Sequence, residues 1–476
     1  MIARVLIAGF AAVMGVGGCA AAKGDDDALI DAVDQLLTEA VETARYPGLS
    51  VAIVRNGTLL HQAGYGRAVL EHDVKATPET VYAVGSVTKP FTCLAIARLV
   101  SQGTVALQAT VGEYLADYEG PGRDVTVSQL LTHTSGLYDY TRTERFSGPA
   151  IADHPPGDVV ASFQERPLQF APGSQFEYTN SGTFLLGLII EAVSGQAYAD
   201  HIRREIIEPM GLENTGIYDR AAIVDGRAFG YAYRDGRFER AHDLSPTVPF
   251  SAGALLSTAP DMARFLATLL RDQAFARATR DQLLRRLPLA GGAPTFYTQG
   301  CLLVTDLEGR AKISHAGSIA GGSAQMAYYP QDDLIIAIGA NASGLHPHPW
   351  SLERRIARLV LGLEPAAGVD KPLAAARARR YEGDFDLAPY RFGSRRYGFS
   401  HRDGGLHLIY GGRDSGRTPI PLIHLGDDRF AVSHDSEITF RFRGPGAVFP
   451  SVDILYFDAP LIGRRAAVPQ THGESR

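Results

Sequence analysis

Gly85-Ser86-Val87-Thr88-Lys89-Pro90, followed by the apolar run Phe91 to Val100, decides the reading of this chain. It sets a serine hydroxyl three positions before a lysine amine at the start of a helix-like segment. Residues three apart share one helical face, so the Lys89 amine can reach the Ser86 hydroxyl. Serine attacks a carbonyl at neutral pH only when a base takes its proton. A lysine becomes such a base once desolvation and nearby positive charge lower its pKa. At a helix start the nucleophile's own backbone N–H also points outward, free to hold an oxyanion. A Ser-x-x-Lys spacing recurs by chance, so its weight comes from its company.

Downstream, Phe176-Glu177-Tyr178-Thr179-Asn180-Ser181-Gly182 precedes an apolar helix-like run, Thr183 to Val193, closed by Ser194-Gly195. Ile313-Ser314-His315-Ala316-Gly317-Ser318 reads as a short strand, with further strand patterns at Ser323 to Tyr329 and Leu334 to Gly339. With Ser-x-x-Lys, Tyr-x-Asn and His-x-Gly in this order, the chain resembles the serine β-lactamase and penicillin-binding protein superfamily. The branch it resembles holds the class C β-lactamases, DD-carboxypeptidases and esterases. Val127 to Leu137, Phe170-Ala171-Pro172-Gly173, Glu208 to Leu212 and Ser251 to Thr258 add to the match, which covers about residues 28 to 362.

The resemblance implies an α+β fold, a β-lactamase/transpeptidase-like antiparallel sheet flanked by helices with an inserted helical subdomain. It also implies roles. Ser86 would attack the substrate carbonyl and form an acyl-enzyme. Lys89 and Tyr178 would share the proton work, the phenol's pKa being lowered by Lys89. Asn180 would bind the substrate amide and Lys89, and His315 would place a cation or polar group beside the pocket, next to Gly317. The backbone N–H groups of Ser86 and Ser318 would form the oxyanion hole. His133 reads as a supporting residue.

One departure matters. His315-Ala316-Gly317 stands where many β-lactamases carry Lys-Thr-Gly, losing a permanent cation and a hydroxyl that help hold an antibiotic's carboxylate. Efficient β-lactam hydrolysis is therefore not the first expectation, and a histidine here would make turnover respond to pH near neutrality. No separate glutamate is assignable to deacylation, which leaves water activation to Tyr178 or Lys89. The expected activity is that of a serine hydrolase of the DD-carboxypeptidase, D-aminopeptidase or esterase type, acting on an amide or ester such as a D-amino-acid peptide of cell-wall origin. β-Lactamase activity, or a non-catalytic cell-wall or partner-binding protein on the same fold, are the alternatives.

A chain of 476 residues exceeds what one core serves, so a large and a small domain are expected. Net charge of −6, 45% hydrophobic and 21% charged residues describe an ordinary globular protein, with nothing to suggest nucleic acid as a partner. No cofactor or metal is expected. His346-Pro347-His348 lacks the carboxylate or cysteine pattern of a metal site, and its prolines argue for a surface loop.

Residues 1–22 read as a signal peptide and leader: Arg4, an apolar run Val5 to Val16, then Gly17-Gly18-Cys19-Ala20, resembling a bacterial lipobox. Lipidation of Cys19 would attach the protein to a membrane, and cleavage among Ala20 to Ala22 would release it. Either way the expected place is the bacterial periplasm or beyond. Cys93 and Cys301 are equally open, as a pair or as two buried thiols. A catalytic domain is expected over 23–365. A small all-β domain, barrel-like or sandwich-like, is expected over 366–463, from strand patterns at Tyr381 to Phe385, Leu406 to Tyr410, Arg429 to Ser433, Ile438 to Arg443 and Ile454 to Phe457. Residues 464–476 read as a disordered tail.

Overall fold

The computed structural model describes residues 19–43, 46–148, 151–272, 275–366, 368–391, 394–456 and 458–466. Residues 1–18 of the signal peptide and leader expected over 1–22, and residues 467–476 of the tail expected over 464–476, lie outside them. Cys19, the expected lipidation point, is the first residue of the helix Cys19–Thr43.

Period-two alternation builds the main sheet. Along Gly48–Arg55, Leu49, Val51 and Ile53 face one core and Ala52 the other; along Leu334–Ala340, Ile336 and Ile338 oppose Ile335 and Ala337 in the same way. Strands buried on both faces belong in the middle of a sheet, and these two pair antiparallel with Val51 opposite Ile338. The seven strands run in the order Leu303–Leu307, Arg310–Ile319, Gly322–Tyr329, Leu334–Ala340, Gly48–Arg55, Thr58–Val69, Val74–Lys75. Asn56 and Gly57 both take positive φ, 50° and 72°, as a tight hairpin turn with the strands' own twist requires.

Helices Cys19–Thr43 and Pro349–Leu361 cover one face through Val33, Leu37, Leu352 and Ile356. The helix Ala259–Leu266, capped by the Thr258 side chain, covers the other. Phe265 on this helix stacks on Phe91 of the helix Thr88–Ser101, ring centroids 3.9 Å apart, which anchors the inserted helical layer to the sheet. Thr88–Ser101 is buried almost all round, the expected fate of an apolar run without a polar face. Cys93 on it is disulfide-bonded to Cys301, Cα atoms 5.9 Å apart, so the pairing left open by the sequence is made.

Beyond Gly362 the chain forms a closed eight-stranded antiparallel barrel from Gly383–Leu387 to Ala459–Arg465. Phe385, Phe399, Phe430, Phe440 and Phe442 fill its interior edge to face, leaving a packed core rather than the open cavity of a ligand carrier. Three barrel strands went unread in the sequence: Arg396–Arg402, Ile420–Gly426 and Ala459–Arg465, each interrupted by charges, glycine or proline. Arg464 and Arg465, expected in the disordered tail, belong to the last strand. His346-Pro347-His348 is not a plain surface loop either: His348 is buried and caps the helix Pro349–Leu361, and His346 faces Asp435 of the barrel at 3.7 Å.

Candidate active site

Local sequence shapes the turn that carries Ser86. Val84 N–H donates to Leu255 O at 3.1 Å, Gly85 takes φ +53°, and Gly85–Val87 makes one 3₁₀ turn that runs into Thr88–Ser101. The Thr88 hydroxyl fixes this turn, donating to Gly85 O at 2.7 Å and accepting Leu255 N–H at 3.0 Å. Ser86 is left half-exposed at the helix start, while Lys89, one turn on, is fully buried.

Lys89 Nζ has three partners: Ser86 Oγ at 3.0 Å, Asn180 Oδ1 at 2.9 Å and Ala252 O at 2.8 Å. Burial strips water from the ammonium and lowers its pKa to about 7, with Asp139 pulling the other way. Desolvation alone thus achieves what the sequence reading assigned partly to neighbouring positive charge. A neutral amine keeps two donors and gains a lone pair. Asn180 Oδ1 and Ala252 O can only accept, so the Ser86 hydroxyl is the one partner with a proton to give.

Asp139 went unnoticed in the sequence. Its Oδ2 accepts from Asn180 N at 3.1 Å and Nδ2 at 3.3 Å, which turns Asn180 Oδ1 toward Lys89. Its Oδ1 accepts from Thr141 N and Oγ1 at 3.0 and 2.8 Å. An aspartate bonding two residues ahead is a recognisable local turn, but no local signal aims its other oxygen at a residue 41 positions away.

Tyr178 lies between Lys89, whose Nζ is 4.9 Å from its ring centre, and His133, whose ring is 4.4 Å away. Burial pushes the phenol well above its ordinary pKa, and a hydrogen bond with Ser86 offsets only part of that. The expected lowering by Lys89 does not occur, and Tyr178 keeps its proton. His133 supports from behind as expected: it is buried, its Nδ1 accepts Thr179 N–H at 3.3 Å, and burial, followed by the charge on Lys89, lowers its pKa and keeps it neutral.

His315 corrects another expectation. It is 2% exposed, its Nε2 meets the Tyr297 hydroxyl at 2.9 Å and its Nδ1 meets Ala316 O at 2.6 Å. A carbonyl only accepts, so Nδ1 carries the proton and Nε2 accepts from Tyr297. Burial and then Lys89 lower its pKa to about 3, so it offers the pocket no cation and no titration near neutrality. Tyr297, also absent from the sequence reading, holds this tautomer.

Gly317 is required by contact. A Cβ built there would lie 1.9 Å from Val84 O, and one on Gly85 would lie 2.8 Å from the Ser318 backbone. The strand carrying His315 therefore runs directly against the nucleophile turn, bringing the Ser86 and Ser318 backbones together at one edge of a cavity of about 150 Å³. Tyr140, Phe146 and Val248 give it apolar walls, and Asn180 also lines it.

Comparisons with known proteins agree with this fold. Protein flp of Staphylococcus aureus (strain COL) is 32% identical over 203 residues, 42% of this chain and 40% of that protein, so the aligned stretch spans less than half of the relative. Penicillin-binding protein 4* of Bacillus subtilis (strain 168) is 28% identical over 296 residues, 59% of this chain and 65% of that protein. Among solved structures, the octameric penicillin-binding protein homologue from Pyrococcus abyssi superposes with TM-score 0.65 at 25% identity, covering 91% of this chain and 99% of that one. The D-stereospecific amidohydrolase from Streptomyces sp. gives 0.60 at 25%, covering 70% and 99%. Residues 33–361, which hold every side chain described around Lys89, match the family described as Beta-lactamase, and the chain belongs to that family, on a serine hydrolase-type β-lactamase/penicillin-binding protein fold.

Proposed function

We propose that the chain is an exported hydrolase that forms an acyl-enzyme on Ser86 and cleaves an amide or ester, with D-amino-acid peptides of cell-wall origin as the substrate class. The observation that carries this is the buried Lys89 amine, with a pKa of about 7, lying 3.0 Å from Ser86 Oγ. Neutral Lys89 takes the Ser86 proton as Oγ bonds to the substrate carbonyl carbon, and the Ser86 and Ser318 amides hold the resulting oxyanion. As the carbonyl re-forms, the bond to the leaving group breaks and Tyr178 gives that group its phenolic proton. The Lys89 ammonium then restores the phenol. In deacylation neutral Lys89 takes a proton from water, whose oxygen attacks the acyl carbon, and Ser86 leaves and is reprotonated. A buried, protonated tyrosine suits donation to the leaving group, and a neutral buried histidine in place of a lysine disfavours recognition of an antibiotic's carboxylate.

The substrate class draws support from the likeness to the D-stereospecific amidohydrolase and to penicillin-binding protein 4*. Export draws support from the apolar run ending at Cys19 and from the Cys93–Cys301 disulfide, a bond typical of oxidising compartments. The test is turnover of a D-amino-acid p-nitroanilide, a D-Ala-D-Ala peptide, p-nitrophenyl acetate and nitrocefin, with Ser86→Ala as control. Turnover of the D-amino-acid p-nitroanilide and p-nitrophenyl acetate, which carry no carboxylate, is expected to exceed that of nitrocefin, and turnover is expected to fall by at least about 10³-fold in Ser86→Ala, as for removal of a nucleophile. No Ser86-dependent turnover by the folded protein would overturn the reading.

A further inference from the structure

The backbone of Tyr178 is held in place by the C-terminal domain. Leaving the first barrel strand, the chain lays Tyr390–Arg391 parallel to Phe176–Glu177, Tyr390 opposite Phe176 and Arg391 opposite Glu177, before closing with Leu387 N–H on Arg395 O at 2.9 Å. Phe176 N–H donates to Pro389 O at 3.0 Å and Tyr178 N–H to Arg391 O at 3.3 Å. From the other edge, Glu177 N–H donates to His133 O at 3.0 Å and Thr179 N–H to His133 Nδ1 at 3.3 Å. The tyrosine segment is thus held along both edges, by Tyr390–Arg391 of the C-terminal domain on one and by His133 of the catalytic domain on the other.

Side chains fasten the same joint. Glu177 is buried and accepts from Arg142 at 2.7 Å, Arg395 at 3.0 Å and Arg391 at 3.3 Å, two of the three coming from the C-terminal domain. Burial pushes its carboxyl up, but the hydrogen bonds from Arg142 and Arg395 outweigh this and hold it below the usual range, so it stays an anion. The Tyr390 hydroxyl donates to Pro294 O, and its ring lies 5.7 Å from Phe296, which in turn sits 5.0 Å from Phe176. Parallel pairing has no local hairpin to form it, and Arg391 and Glu177 are 214 residues apart, so this ladder exists only when the barrel is docked.

We propose that Tyr390–Arg391, with Arg395, is a strap that positions Tyr178 for its proton transfer, so that the C-terminal domain serves turnover directly. The proposal rests on the reading of Tyr178 as donor to the leaving group. An anilide or peptide nitrogen must be protonated to depart, whereas p-nitrophenolate leaves unaided. Loosening the strap therefore costs amide cleavage more than activated-ester cleavage, a selectivity that general destabilisation does not produce.

The experiment uses the full chain with Arg391→Ala/Arg395→Ala and, separately, Arg395→Lys. Amide hydrogen exchange by mass spectrometry is followed across residues 174–182, alongside kcat and KM on a D-amino-acid p-nitroanilide and on p-nitrophenyl acetate. Faster exchange confined to that peptide is expected, with kcat on the anilide falling roughly tenfold or more beyond any fall on the ester, KM little changed, and Arg395→Lys intermediate. Unchanged exchange across 174–182 overturns the strap, whether or not a substrate has been found. Faster exchange with an unaltered amide-to-ester ratio overturns its catalytic role. Loss of all Ser86-dependent turnover in the wild type would instead count against the acyl-enzyme reading, with the exchange result still deciding the strap.

Discussion

Lys89 is buried against two groups that can only accept, Asn180 Oδ1 and Ala252 O, so deprotonation leaves its lone pair facing Ser86. The proton must be off for the base to work, and a depressed lysine loses it as pH rises through the folded value. The expected outcome is a kcat/KM that climbs with pH through an inflection near the Lys89 value of about 7, with no further limb from His315, whose value of about 3 lies far below. Asp139 opposes the depression, so Asp139→Asn should move that inflection to lower pH, measured on the same ester; an inflection that stays in place would assign the limb to another group. Ser86 and Lys89 could be picked out locally, as a hydroxyl and an amine on one helical face, whereas Tyr178 and Asn180 came only from the family resemblance; the fold brings Ser86 and Asn180 together on the Lys89 amine, with the Tyr178 ring beside it. Asp139 and Tyr297 could not be picked out, since they act on Asn180 and His315 across 41 and 18 residues, by contacts only the fold creates.

At the scale of elements, the proposed oxyanion hole depends on how closely the His315 strand approaches the turn that carries Ser86. Leu334–Ala340 could be read directly because burial on both faces leaves a short, unbroken apolar run. The distance between strand and turn left no period, only the glycines that permit it. Gly317→Ala should force the strand off Val84 O, since the added methyl has backbone and not a flexible side-chain tip in its way. A shift of that kind misplaces the Ser318 amide, so kcat/KM should fall by about 100-fold while the thermal midpoint moves by only a few degrees. Full activity in Gly317→Ala would show that the strand can relax and that Ser318 is not held for the oxyanion. The barrel strands show the converse: Arg396–Arg402 and Ala459–Arg465 carry too many charges to advertise burial, and they become strands because a closed sheet supplies both neighbours.

For the whole molecule, the question is what keeps a barrel docked so firmly that its strap can hold an active-site segment. Lys312, on the strand that carries His315, is fully buried between Glu353 of the Pro349–Leu361 helix and Asp458 of the barrel, 2.6 Å from the latter. Asp458 also accepts from Ser314 Oγ at 3.1 Å and Arg354 at 3.1 Å, while Glu437 of the barrel accepts from Arg354 at 2.8 Å and Arg358 at 3.1 Å. None of this could be read from the sequence, where these charges look like ordinary surface residues, because their pairing is made between domains. Replacing a buried ionic cluster outright can be neutral, but removing one member strands the others in a medium that cannot solvate them. Lys312→Met should therefore destabilise the chain by about 3–5 kcal/mol in denaturant unfolding, whereas Lys312→Met/Glu353→Gln/Asp458→Asn should recover much of the loss. Because the cluster spans the joint, the single variant should also increase exchange at 174–182, as the barrel loosens and the strap with it. A Lys312→Met protein that loses stability while that peptide stays protected would mean that the strap is fastened by Glu177 and its arginines alone, independently of the cluster behind it.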